Sequence, residues 1–202
     1  MHKPANNDFP ILHQLRERWS PRAFSSRPVP PESVRSLLEA ARWAPSAYNT
    51  QPWRFIIAVR EQSEAEFESA LACINEYNRG WATAAPILLF AVAETHFENG
   101  SENRSVNRHA FHDSGQAIAG LTVQATALGL YVHQMAGILI DEIRQTYSLP
   151  AGFEPVCGAA IGYLGEADNL ADDLKQKELA PRARRPLSET VFSASWGQSA
   201  AL

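Results

Sequence analysis

The chain has 202 residues, 45% hydrophobic and 20% charged, with a formal net charge of −4. That composition fits one domain, residues 1–202, with a sizeable buried core, and excludes a disordered or fibrous chain. The acidic balance excludes a general attraction to nucleic acid or to an anionic membrane surface, so any anion site must be a local cluster of cations.

In chain order, the N-terminal MHKPANNDFPILHQLRERW has no apolar run long enough for a signal peptide, which points to the cytoplasm; residues 1 to about 10 are expected to be flexible. Ile11, Leu12 and Leu15 mark a first helix. Pro31, with Glu32 beside it, opens a second, whose Val34, Leu37, Leu38 and Ala41 recur at helical spacing and which must end before Pro45. Runs with strand character follow at 55–59, 86–94 and 155–164, separated by helical patterns near 63–78, 105–128 and 140–147, so a sheet covered on its faces is expected. Cys73 and Cys157 stand far apart in no CxxC pattern, which suggests neither a disulfide framework nor a structural zinc. Between Ser114 and Ile140 there is no Asp, Glu, Lys or Arg. Six polar residues, among them Gln116, Gln124 and His133, argue against a membrane span. The small residues Gly115, Ala117, Ala119, Gly120, Ala125 and Ala127 instead indicate a buried helix, packed centrally or against a second subunit and stopped by Gly129. From residue 166 to 202 the chain is polar and basic, an extended tail with too few apolar residues to fold without another surface.

Two stretches carry chemistry. RWSPRAF, residues 18–24, places Arg18 and Arg22 four apart around Ser20 and Pro21, in a segment too polar for core and too stiff for a linker. ARWAPSAYNTQPWRF, residues 41–55, crowds Ser46, Tyr48, Asn49, Thr50 and Gln51 between a helix and a strand. Buried polar side chains need partners, and a planar heterocycle with several donors and acceptors would supply them. His109, His112 and Asp113 form an HxxHD pattern that can serve a metal, but no third strong ligand is in view and no metal site is expected. Gly158, Gly162 and Gly165 lie within and after a strand and open no helix, which is strand packing and not a dinucleotide fingerprint.

These two blocks, followed in order by NRGWATAAPILLF (78–90), DSGQAIAGLTVQATALGL (113–130) and PRARRPLSETV (181–191), resemble the FMN-dependent nitroreductase family from about residue 11 onward. The resemblance implies an α+β fold with a central, mostly antiparallel sheet flanked by helices. It also implies a homodimer with an exchanged C-terminal tail and one FMN in each of two interface sites. By the same resemblance Arg18, Trp19, Ser20 and Arg22 approach the phosphate and ribityl chain. Arg182 and Arg184 return from the tail to that site, with Arg185 as the competitor for Arg184. Pro45, Ser46, Ala47 and Asn49 face the flavin from the second subunit with Gln51 nearby, Asn78 lies at the pyrimidine edge, and the Met135, Ala136 and Gly137 backbone approaches the ring. Trp81 stands where some members carry a basic residue, and Ala136 where some carry Glu.

The implied activity is reduction of nitroaromatic, quinone or similar electron-poor acceptors by NADH or NADPH in a ping-pong sequence. The flavin carries the hydride chemistry, and no catalytic side chain is required. Two alternatives stand beside it. One is another reaction on the same fold, such as reductive dehalogenation, enone reduction or flavin breakdown; the other is a non-catalytic FMN-binding dimer. Residues 95–112, polar and placed between a strand and a helix, are expected to cover the active site.

Overall fold

In a computed structural model, residues 1–98 and 104–201 are described. Four strands, β1 (Trp53–Val59), β2 (Ile87–Glu94), β5 (Tyr131–Met135) and β6 (Phe153–Gly162), form one sheet in the order β1-β2-β6-β5, with every neighbouring pair antiparallel. A short hairpin, β3 (His96–Glu98) with β4 (Arg104–Val106), stands apart from it. The helices are α1 (His13–Glu17), α2 (Pro31–Arg42), α3 (Glu64–Ala72), α4 (Glu76–Ala82), α5 (Ala110–Ala127), α6 (Ile140–Thr146) and α7 (Asp172–Leu179).

The period-two alternation of β2 explains the layers. Leu88 and Phe90 join Phe67, Leu71, Trp81 and Ile143 on one face, while Ile87, Leu89 and Ala91 join Leu37, Ala41, Ala117 and Leu121 on the other. A strand buried on both faces reads as a continuous apolar run, as ILLFAVA does. At Ala91/Val92 the β2–β6 register shifts beside Pro155, which has no N–H to give the ladder. The β6 glycines are packing positions as expected: a Cβ on Gly162 would lie 2.5 Å from the Pro86 ring, and one on Gly158 2.9 Å from Ile138.

Three expectations need correction. The helix foreseen over 63–78 is two helices, because the Asn75 side chain accepts from the Asn78 N–H and starts α4 afresh, while the Asn75 N–H donates to the Gly137 carbonyl. The helix foreseen from 105 begins at Ala110, after β4. The polar tail carries a helix, α7, anchored by buried Leu174 and Glu178 one turn apart. In addition β5, which joins the sheet beside β6, went unread because its five residues alternate only weakly. The α5 helix does pack centrally, with the Gly120 position set against the Ala40 carbonyl of α2, and Gly129 follows its end at φ +71°. Ala119 and Phe111 of the same helix are exposed.

Candidate functional site: an arginine-lined cavity

RWSPRAF runs alongside the end of β6. The Ser25 N–H donates to the Tyr163 carbonyl at 2.9 Å and the Gly165 N–H to the Ala23 carbonyl at 2.8 Å, with a bridge between Phe24 and Leu164. From the next strand, His133 donates through Nδ1 to the Pro21 carbonyl at 2.8 Å and packs against Trp81, ring centroids 4.4 Å apart and planes tilted by 37°. Burial lowers the His133 pKa to about 4, against the two favourable backbone bonds and with help from the nearby Arg22 charge. The imidazole is therefore neutral at pH 7, with the proton on the nitrogen that faces Pro21.

The segment so fixed borders a cavity of about 260 Å³ lined by Lys3, Arg18, Trp19, Ser20, Arg22, Lys177, Glu178, Arg182 and Arg184 with Ala180 and Pro181. All the expected phosphate-end residues come together here. Of the two tail candidates, Arg184 borders this cavity, while Arg185 borders a neighbouring groove that Arg184 also lines. Arg182 is aimed by its own bonds, Nη1 donating to the Lys3 carbonyl at 2.8 Å and the Arg16 carbonyl at 3.0 Å.

The cations gathered here disfavour one another. Desolvation and then the charge of Arg184 lower the Arg18 pKa; desolvation, then Arg18 and Arg184, lower that of Arg182. Two buried donors, Arg22 Nε and Trp19 Nε1, have no hydrogen-bond partner among the described residues. Like charges repel, so a cavity lined by four arginines and two lysines suits an anion with several acceptor oxygens, such as a phosphate monoester.

Sequence reading missed three charged lining residues, besides Ala180 and Pro181. Lys3 lies in the N-terminal stretch expected to be flexible; here its Nζ sits 4.6 Å over the Trp19 ring and donates to the Glu178 carbonyl, and the Ala5 N–H donates to the Arg16 carbonyl at 2.7 Å. Lys177 and Glu178 lie in a stretch taken as polar tail. The one available signal was Leu174 four residues before Glu178, which puts both on the same face of a helix.

Asn78, Met135, Ala136 and Gly137 assemble on the neighbouring elements. The Asn78 Oδ1 accepts from Trp81 Nε1 at 3.3 Å, which turns its Nδ2 toward the Gly137 carbonyl at 3.5 Å. A Cβ on Gly137 would lie 2.4 Å from the Nδ2 of both Asn75 and Asn78, so glycine is required here by the asparagines. Met135 is buried in the core and Ala136 is exposed.

The 45–51 loop does not border the cavity. It is held elsewhere: the Ala47 N–H donates to Oδ2 of buried Asp113 at 2.9 Å, the Gln51 N–H to the Ser46 hydroxyl at 3.0 Å, and Asn107 Nδ2 to the Thr50 hydroxyl at 3.3 Å. Tyr48, Asn49 and Gln51 have φ of 52°, 54° and 46°, a conformation that costs non-glycine residues on the order of 1 kcal/mol each. Asp113 also meets His112 Nδ1 at 3.0 Å, so both its oxygens are engaged in fixing this loop and the start of α5. Pro45, Asn49 and Gln51 are exposed, as are Trp43 and Tyr48, at 75% and 92%. Of the expected cover over 95–112, residues 99–103 lie outside the described residues.

A profile of the nitroreductase family matches residues 15–163. This chain belongs to the nitroreductase family. It is 34% identical to a solved structure described as an oxidoreductase containing FMN, with a TM-score of 0.90 and 96% of each chain covered. It is 30% identical over 149 residues to a 15.4 kDa protein from the ask 5′ region of Mycolicibacterium smegmatis, covering 71% of this chain and 97% of that protein. It is also similar to the major NAD(P)H-flavin oxidoreductase of Aliivibrio fischeri, 31% identical over 84 residues, which are 41% of this chain and 38% of that protein. The nitroreductase fold accounts for the antiparallel sheet covered by helices on both faces. Among the described residues no helix is long and apolar enough to cross a membrane.

Proposed function

We propose that this nitroreductase-family chain is an NAD(P)H-dependent FMN oxidoreductase that reduces nitroaromatic, quinone or related electron-poor acceptors and works as a homodimer. The observation that carries this reading is a cavity bordered by four arginines and two lysines, with Arg22 Nε and Trp19 Nε1 of its lining residues buried and without a partner among the described residues. Arg18, Ser20, Arg22, Arg182 and Arg184 would hold the FMN phosphate. Each charge-assisted hydrogen bond contributes about 1.5 to 3 kcal/mol, so two or three retain the cofactor.

A cavity of 260 Å³ lies below the usual size of a complete small-molecule site, roughly 300 to 1,000 Å³, and takes only the phosphate end. The ring would extend over the Met135–Gly137 backbone beside Asn78. Pro45, Ser46, Ala47, Asn49 and Gln51 would cover it from a second copy of the chain, which accounts for a loop that is strained, firmly tied at its base and exposed at its tip. When bound, FMN supplies the hydride-accepting and hydride-donating chemistry, and the protein's part is to bind, orient and shield. No side chain need act as acid or base.

The test is acceptor-dependent oxidation of NADH or NADPH by purified, FMN-loaded protein. Turnover with a nitroaromatic or a quinone supports the reading. Tight FMN binding without turnover on either class would shift weight to another reaction on this fold.

A further inference from the structure

Among the described residues Glu178 is the one carboxylate bordering a cavity that also holds Lys3, Lys177 and four arginines. It is 1% exposed, and a buried carboxylate among guanidinium groups ordinarily pairs with one of them. Here it does not. Both oxygens accept from the Arg22 N–H, at 3.0 and 2.9 Å, and Oε1 accepts also from the Ala23 N–H at 3.2 Å. The carboxylate is thus spent on the backbone of the arginine segment, and the guanidinium of Arg22 keeps its buried Nε free of any partner among the described residues.

We propose that Glu178 is a positioning residue for anion binding: by gripping the Arg22 and Ala23 amides from α7, it sets the direction of the Arg22 side chain into the phosphate cavity. The grip also ties the tail, which brings Arg182 and Arg184, to the segment that brings Arg18 and Arg22. A one-residue shift of this turn would exchange Arg22 for Pro21 or Ala23 at the cavity wall, so the fixed backbone selects the cation. This inference rests on the proposed FMN function.

The proposal makes a prediction opposite in sign to that of simple charge. Removing a negative charge beside a phosphate should tighten binding by Coulomb's law. In Glu178→Gln the side chain keeps its volume but loses the second accepting oxygen, and its amide N–H₂ would face the Arg22 N–H. Binding should therefore weaken in spite of the lost negative charge.

The experiment measures dissociation constants of FMN and of riboflavin, which lacks the phosphate, by fluorescence titration of wild-type protein and Glu178→Gln. The expected result is at least tenfold weaker FMN binding with riboflavin binding unchanged, and no further loss when Arg22→Ala is added, since the two changes remove one contact. Unchanged or tighter FMN binding would overturn the inference and leave the FMN function standing. Equal loss for both flavins would assign Glu178 a merely structural role and also overturn it. If Glu178→Gln does not fold, Glu178→Asp, whose carboxylate is one methylene short of the two amides, carries the same comparison. Wild-type protein that binds neither flavin would overturn the function and this inference together.

Discussion

Arg22 joins two demands in one side chain: its backbone N–H is satisfied by Glu178, and its buried Nε is satisfied by nothing in the described chain. Arg22→Ala should therefore weaken FMN binding by about 1.5 to 3 kcal/mol while leaving the melting temperature of the flavin-free protein nearly unchanged. Equilibrium dialysis against FMN checks it, and unchanged occupancy would remove Arg22 from the site. His133 makes a second prediction. Its pKa is about 4 in the folded chain against 6.5 for the free group, so between those values the unfolded chain binds the proton that the folded one refuses. Stability is then fully present above pH 6.5 and is lost as pH falls toward 4, by at most about 1.4 kcal/mol per pH unit. Urea unfolding at pH 7 and pH 5 should show a smaller difference in His133→Gln than in the wild type; an equal difference would assign the acid sensitivity to other groups. At Gly137 an added methyl group has nowhere to go, because the two asparagine amides it meets are held by the start of α4 and by Trp81. Gly137→Ala should cost roughly 1 to 3 kcal/mol in thermal unfolding and displace Asn78, with weaker flavin binding as its second sign.

Elements were legible in proportion to the regularity of their burial. The α2 helix, opened by Pro31, and β2, buried on both faces, were readable because each residue's environment repeats with the element's own period. The α7 helix was hidden for a physical reason: six of its eight residues are polar, and its buried face consists of one leucine and one glutamate whose partners lie in a segment some 150 residues earlier. No local pattern encodes that pairing. Arg18, Ser20 and Arg22 could be grouped from the sequence for the opposite reason, since they share one short segment, and they line one cavity. The 45–51 loop stood out by its crowded polar residues, but its support, which comes from Asp113 and Asn107 at distant positions, did not. Asp113→Ala should release the Ala47 amide, leave the strained φ angles at Tyr48 and Asn49 without support, and weaken flavin binding, provided the loop covers the ring. Proteolysis within residues 44–51 should become faster in that variant, and an unchanged digestion rate would contradict the assigned role of Asp113. Ending the chain after Gly165 removes Leu174, Glu178, Arg182 and Arg184 together. Flavin binding should be abolished, and retention of FMN by the shortened chain would contradict the cavity as described.

At the scale of the whole molecule, the arginine cavity and the 45–51 loop are both well built and do not border each other within one chain. A second copy resolves this if each chain offers its loop to the other's cavity, and the exposed aromatic and aliphatic groups fit such an interface. Leu12 is 67% exposed, Phe111 52%, and Trp196, near the end of the tail, 92%. Sedimentation of the purified protein should accordingly give a dimer. The central claim is that the chain binds FMN and passes electrons through it, and the most direct measurement is the visible absorption spectrum of the FMN-loaded protein, recorded without oxygen before and after NADH and then NADPH. The account predicts an oxidised flavin band that survives gel filtration and bleaches with at least one nicotinamide. A protein that emerges colourless, or whose flavin band persists with both donors, would contradict it.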